Sequence, residues 1–190
     1  MKEPTVIADI GCNHKGDFEL AKEFIDTAKT FCKVNLVKFQ KRTILEVLTD
    51  EEYNSPHPEP RNSYGKTYGR HRQYLEFTLD QHIDLKKHCE KQGMVYSCSV
   101  WDMFSARQIT TLEPESIKIP SAVNNHFELL GYLCDHFPGI IHLSLGMTTK
   151  DEEKEIIQFF QDKSRIGDLI LYACTSGYPV PVENLCLLEV

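Results

Sequence analysis

Two lysines stand inside short apolar runs, Lys38 within residues 36–39 and Lys118 within residues 117–119. Burying an ammonium group is costly unless it meets an anion or a reacting carbonyl. Hydroxyls close comparable runs at Ser121, Ser144, Thr175 and Ser176. Two cations ringed by hydroxyls and glycine backbone would cradle a phosphate or a carboxylate. A desolvated lysine is also a nucleophile, so imine chemistry on a carbonyl substrate stays open. Asp9 closes the first apolar run, beside Asn13 and His14. A carboxylate there can move a proton, orient a hydroxyl or cap a loop. His14 could serve as a base, a metal ligand or a loop hydrogen-bonding group. His71 and Arg72 lie in a polar stretch, where they would clamp a ligand or face water.

These residues need a scaffold that brings them together, and the chain alternates in a way that supplies one. Apolar runs at residues 5–10, 36–39, 94–98, 117–119, 140–144 and 169–173 read as six strands. Residues 18–31, 79–92, 102–112, 126–136 and 150–162 carry apolar residues at helical spacing. Asp17 stands where an N-cap belongs and Gly93 where a helix stops. Regular β-α alternation implies a parallel sheet with right-handed crossovers. The strand runs look continuously apolar, as expected of strands covered on both faces. In such folds the site lies beyond the carboxyl ends of the strands, where Asp9, Lys38, Lys118 and the serines fall. No Gly-rich dinucleotide or P-loop motif follows the first run. The exception to the alternation is residues 41–78, polar and rich in proline and tyrosine, which read as a substrate loop or a mobile surface loop.

Composition sets the outer bounds. With 190 residues, 41% hydrophobic and 26% charged, the chain is that of a folded protein. It is short of the roughly 250 residues of a closed (β/α)₈ barrel. The net charge of −7 argues against nucleic-acid or membrane-surface binding. Seven cysteines without a CxxC spacing read as buried free thiols in a reducing compartment. No apolar run approaches the ~18 residues of a membrane span, and a cytoplasmic location is expected.

The strings at residues 7–16 (IADIGCNHKG), 37–40 (VKFQ), 118–121 (KIPS), 143–147 (LSLGM) and 174–179 (CTSGYP) occur at successive strand ends. In this order they resemble the sialic acid synthase (N-acetylneuraminate synthase) family. Residues 64–72 (YGKTYGRHR) also look like a loop of some members. The resemblance implies a TIM (β/α)₈-type barrel, of which the first six β/α units are present. It implies condensation of phosphoenolpyruvate with an N-acylated amino sugar such as N-acetylmannosamine, giving a nine-carbon 2-keto sugar acid and phosphate. Lys38, Lys118, Ser121, Ser144 and Ser176 would then hold phosphoenolpyruvate, Gln40 and Tyr178 would face the sugar, and Asp9 would be the acid/base carboxylate. A manganese or magnesium ion and a homodimer are implied for full-length members.

Three departures bear on these expectations. Asp9 stands where the family pattern has Glu. Residues 121–125 read SAVNN without the acidic residue often found there, so Asn124 is expected to take over that sugar contact. The family's seventh and eighth strands, with two metal-binding histidines, and its C-terminal antifreeze-like domain would lie beyond Val190, and no histidine follows His142. Two alternatives follow: a remnant that binds phosphoenolpyruvate or phosphate without turnover, and a Schiff-base aldolase using Lys118.

Overall fold

The computed structural model describes residues 4–177 and 179–185. Among them, the strands are β1 (Ile7–Gly11), β2 (Leu36–Lys41), β3 (Val95–Val100), β4 (Ser116–Ile119), β5 (Ile140–Ser144) and β6 (Leu169–Tyr172). They form one sheet in sequence order, with every neighbouring pair parallel. The helices are α1 (Phe18–Thr30), α2 (Ile44–Val47), α3 (Asp50–Asn54), α4 (Tyr68–Tyr74), α5 (Leu79–Lys91), α6 (Met103–Thr110), α7 (Phe127–His136) and α8 (Lys150–Asp162).

Local chemistry fixes where the crossover helices begin. The Asp17 carboxylate accepts from the Glu19 and Leu20 amides at the start of α1. Thr78 with Gln81 and Thr149 with Glu152 form reciprocal capping boxes on α5 and α8. Asp102 and His126 cap α6 and α7, each one residue before the helix proper. After α5, Gly93 adopts φ +63°, the left-handed conformation that ends a helix with little strain. Each helix turns one stripe inward: Ala21, Ile25 and Ala28 of α1 are buried, as are Leu129, Leu130 and Leu133 of α7.

The strands correct one expectation. Toward their carboxyl ends they are not apolar on both faces but alternate, while Leu36 and Ile140 keep the amino-terminal end of the second face apolar. Val37, Phe39, Cys98, Ile117, Ile119, Ile141 and Leu143 point to the helices and are fully buried. The residues between them are Lys38, Gln40, Ser97, Ser99, Lys118, His142 and Ser144, which share the other face. Parallel register aligns that face: Asp9 lies opposite Lys38, Lys38 opposite Ser97, Ser99 opposite Lys118, and Lys118 opposite His142.

A second correction concerns residues 41–78. Lys41 belongs to β2, and much of the remainder folds into α2, α3, a short 3₁₀ turn at Pro60–Asn62 and α4. Aromatic packing holds the stretch: Tyr64 stacks on Tyr74 at 5.0 Å, and Gly69 leaves no room for a side chain beside the Tyr53 ring. It is not a loose surface loop. No helix among the described residues is long and apolar enough to cross a membrane.

Candidate active site

The polar face of the sheet opens at the carboxyl ends of the strands onto a cavity of about 310 Å³. Lys38 is 5% exposed. Its ammonium donates to Ser99 Oγ at 3.2 Å and pairs with Asp9 Oδ1 at 2.9 Å. Lys118 reaches the same cavity from β4, with its Nζ 5.1 Å from the centre of the Tyr172 ring. Burial, and then the nearby Lys38 charge, push the Lys118 pKa below the ordinary lysine value, against the opposing pull of Asp9. Two cations that repel one another and meet a single carboxylate leave an unmet demand for negative charge. His142 and Tyr172 are hydrogen-bonded at 2.6 Å between β5 and β6. Burial, with Lys118 and Lys38 adding to it, holds the His142 imidazole below its usual pKa.

The opposite wall is built from hydroxyls. Ser121, Ser144 and Ser176 line the cavity, and Gly146 passes so close that a Cβ there would lie 2.6 Å from both Ser121 Oγ and Ser176 Oγ. A residue with a side chain at position 146 would therefore force these hydroxyls apart. The next residue, Met147, takes φ +65°, so the turn is tight as well as small.

The structure thus brings Asp9, Gln40, Lys38, Lys118, Ser121, Ser144 and Ser176 to one cavity. Gln40 accepts from Arg42 through Oε1, which leaves its amide nitrogen available. Tyr178 lies outside the described residues. Asn124 is a correction. It is 3% exposed, and its amide donates to the Ser144 carbonyl at 2.9 Å and the Gly146 carbonyl at 3.2 Å. It therefore ties down the serine–glycine turn and is not among the residues lining the cavity. His14 is also away from the cavity. It stacks on Phe77 at 4.1 Å and accepts from the Gly16 amide, and burial lowers its pKa to about 4. His71 accepts from the Tyr64 amide within the packed 42–78 segment.

Sequence reasoning missed Trp101 and Arg42. Ser99 and Trp101 stand at the end of β3, which extends to Val100 and so past the predicted boundary. Arg42 directly follows β2, and its guanidinium stacks 4.2 Å from the Trp101 ring. The lone tryptophan at a strand end was the available signal. The cysteines divide: Cys89, Cys98 and Cys134 are buried free thiols, whereas Cys32 and Cys174 are exposed, and Cys174 lines the cavity.

The manganese or magnesium ion implied by the resemblance finds no ligand set here. Among the described residues no three His, Cys, Asp or Glu side chains converge. Among the described residues Asp9 is the one carboxylate lining the cavity, and Lys38 engages it. The described residues do not fit a divalent cation.

The model of the NeuB family matches residues 24–190. The N-acetylneuraminate-9-phosphate synthase of Drosophila melanogaster is 35% identical over 187 residues, covering 96% of this chain and 48% of its own length. The enzyme of the same description from Homo sapiens is 30% identical, covering 96% and 49%. A crystal structure of the N-acetylneuraminic acid (sialic acid) synthetase from Leptospira borgpetersenii, in complex with citrate, superposes with a TM-score of 0.81 at 25% identity. That match covers 99% of this chain and 60% of the other. The chain spans about half the length of the curated relatives it matches.

Proposed function

The chain belongs to the NeuB family, and from that premise we propose that it carries the phosphoenolpyruvate half-site of a synthase joining phosphoenolpyruvate to an N-acylated amino sugar. The sheet, on this reading, is the first six β/α units of a TIM-type barrel. One observation carries the proposal: Lys38 and Lys118 converge on one cavity whose lining, among the described residues, contains a single carboxylate. Phosphoenolpyruvate brings a phosphate and a carboxylate, the negative charge that this pair lacks.

Lys38 and Lys118 oppose those anionic groups, and Ser121, Ser144 and Ser176 donate hydrogen bonds to them. Gln40 faces the sugar. The enol carbon C3 attacks the aldehyde carbon of the open-chain sugar, forming the new C–C bond. Water adds at C2, and the tetrahedral intermediate expels phosphate by C–O cleavage, leaving the 2-keto acid. Asp9, held by Lys38, is placed to move the proton of the attacking water or of the new hydroxyl. Preorganised positive charge at the phosphate is the dominant contribution, because it needs no rearrangement as charge shifts. The names of the fly and human relatives describe a phosphorylated product, which supports a phosphorylated sugar as acceptor.

Phosphate release from phosphoenolpyruvate with N-acetylmannosamine or its 6-phosphate, assayed with and without Mn²⁺, tests turnover. Binding of phosphoenolpyruvate without release would reduce the proposal to a non-catalytic binding domain. The lowered Lys118 pKa favours an imine-forming aldolase as the second reading. Borohydride trapping with pyruvate would leave an adduct on Lys118 only under that reading.

A further inference from the structure

The two lysines of the cavity are held in different ways. Lys38 is fixed by the Asp9 carboxylate and the Ser99 hydroxyl. Lys118 makes no hydrogen bond or ion pair among the described residues. Its Nζ lies over the Tyr172 ring instead, 5.1 Å from the centroid, within the range of a cation–π attraction. A four-carbon stem without a fixed partner samples many rotamers, and that freedom is lost when an anion binds. Whatever holds the ring therefore bears on the affinity of the site.

The ring is held by β5. Parallel register puts His142 opposite Lys118 on one side and opposite Ile170 on the other. Tyr172 stands two residues beyond Ile170, on the same face of β6. His142 Nδ1 and the Tyr172 hydroxyl close a 2.6 Å hydrogen bond across the diagonal, with the rings 5.5 Å apart. Burial lowers the imidazole pKa and raises that of the phenol. The imidazole is thus neutral and accepts from a protonated hydroxyl. Both residues also line a cavity of about 380 Å³ whose walls include Ile7, Leu36, Ile140 and Ile170. A phenol hydroxyl against such apolar walls needs a partner, and His142 supplies it.

We propose that Tyr172 and His142 are positioning residues for Lys118: the phenol ring supports the ammonium, and the imidazole fixes that ring through its hydroxyl. The proposal rests on the anion-site reading above and deepens it. Lys118 is set toward the anion before the anion arrives, so less freedom is lost on binding. The charged and titratable groups acting on the Lys118 ammonium besides His142 are Lys38 from β2, Asp9 from β1 and Cys174 after β6. Asp9 is the one carboxylate among them, and Lys38 engages it. A second carboxylate beneath Lys118 would hold the stem equally well but would neutralise the charge that the ligand requires. An uncharged ring orients the ammonium without competing for it.

Phosphoenolpyruvate is titrated calorimetrically into the intact chain and its variants. Tyr172→Leu removes the ring and is expected to weaken binding about tenfold, as loss of a desolvated cation–π contact warrants. Tyr172→Phe and His142→Leu keep the ring but release it, and each should weaken binding about threefold, the equivalent of one neutral hydrogen bond. His142→Gln, whose Oε1 accepts from the hydroxyl, should restore most of that loss. The effect must run through Lys118, so Tyr172→Leu should leave the residual affinity of Lys118→Gln unchanged. A further loss of about tenfold in that double variant would overturn the proposal and make Tyr172 a structural residue. Carbon-13 relaxation at Lys118 Cε, assigned by its absence from Lys118→Gln, judges the positioning without a ligand. The stem should be more mobile in Tyr172→Leu and His142→Leu than in wild type, with Lys38 unchanged. Equal mobility in all three proteins would overturn the proposal. Failure of phosphoenolpyruvate to bind wild type counts against the function proposed above, and the relaxation measurement still decides the role of Tyr172 and His142.

Discussion

The two faces of the sheet draw on alternate residues of the same strands, yet they perform different work. On β2, Val37 and Phe39 enter the helix-covered core while Lys38 and Gln40 turn to the cavity. On β4, Ile117 and Ile119 do the first and Lys118 the second. One face repays its burial through packing. The other gathers two cations and a row of hydroxyls at one cavity. The lesson is a division of labour at single-residue spacing: stability should reside in one set of positions and ligand affinity in the next.

That division can be broken most forcefully from the packed side. Phe39 is fully buried and stacks on Tyr96 at 5.9 Å. Phe39→Ala is expected to cost about 3–5 kcal/mol in urea denaturation, with the phosphoenolpyruvate affinity of the folded fraction unchanged. A large affinity change with little loss of stability would show that the faces are not separable.

Acid should act on the same side. His82 is fully buried against Phe39, Phe77 and Tyr96, and burial pushes its pKa down to about 3, while His14 is lowered to about 4. Both folded-state values lie below the ordinary 6.5, so the folded chain favours neutral rings. Their stabilising effect is complete above about pH 6.5 and is lost as pH falls toward 4 and 3, on the order of a few kcal/mol in total. Stability measured from pH 7 to 4 should fall, and His82→Gln should flatten the profile. An unchanged profile would contradict the assignment.

From the polar side, Asn124→Ala should loosen the turn that holds Ser144 and Gly146 and weaken phosphoenolpyruvate binding about tenfold, as loss of a buried hydrogen-bonding group warrants. No change in affinity would return Asn124 to a purely structural part. The smallest effect sharpens the comparison through pH. Because the Lys118 pKa lies below that of an ordinary lysine, its charge is lost on the alkaline side sooner than usual. Affinity should decline as pH rises, and Lys118→Arg should move that decline to higher pH. A flat alkaline limb in the wild type would show that Lys118 charge does not contribute.

Much of the fold was legible because its signals are local. Asp17 announces the start of α1 and Gly93 the end of α5, and α8 spans the residues its spacing predicts. The alternation within strands was not, because β4 and β6 are four residues each, too short for a period of two to stand out from an apolar run. Lys38, Lys118 and the serines were legible as unusual residue types at strand ends. Asn124 was misread because only the folded chain shows its amide bound to two carbonyls 20 and 22 residues away. Arg42 and Trp101 escaped notice because their meaning is mutual, arising from a stack between residues of different strand ends.

The central claim is that Lys38 and Lys118 together form the anion site. Calorimetric titration of phosphoenolpyruvate into wild type, Lys38→Gln and Lys118→Gln tests it directly. Each variant is expected to bind about 100-fold more weakly, the equivalent of a charge-assisted hydrogen bond, with a urea midpoint no lower than that of wild type. Wild-type affinity in either variant, or a weakening matched by loss of the folded state, would contradict it.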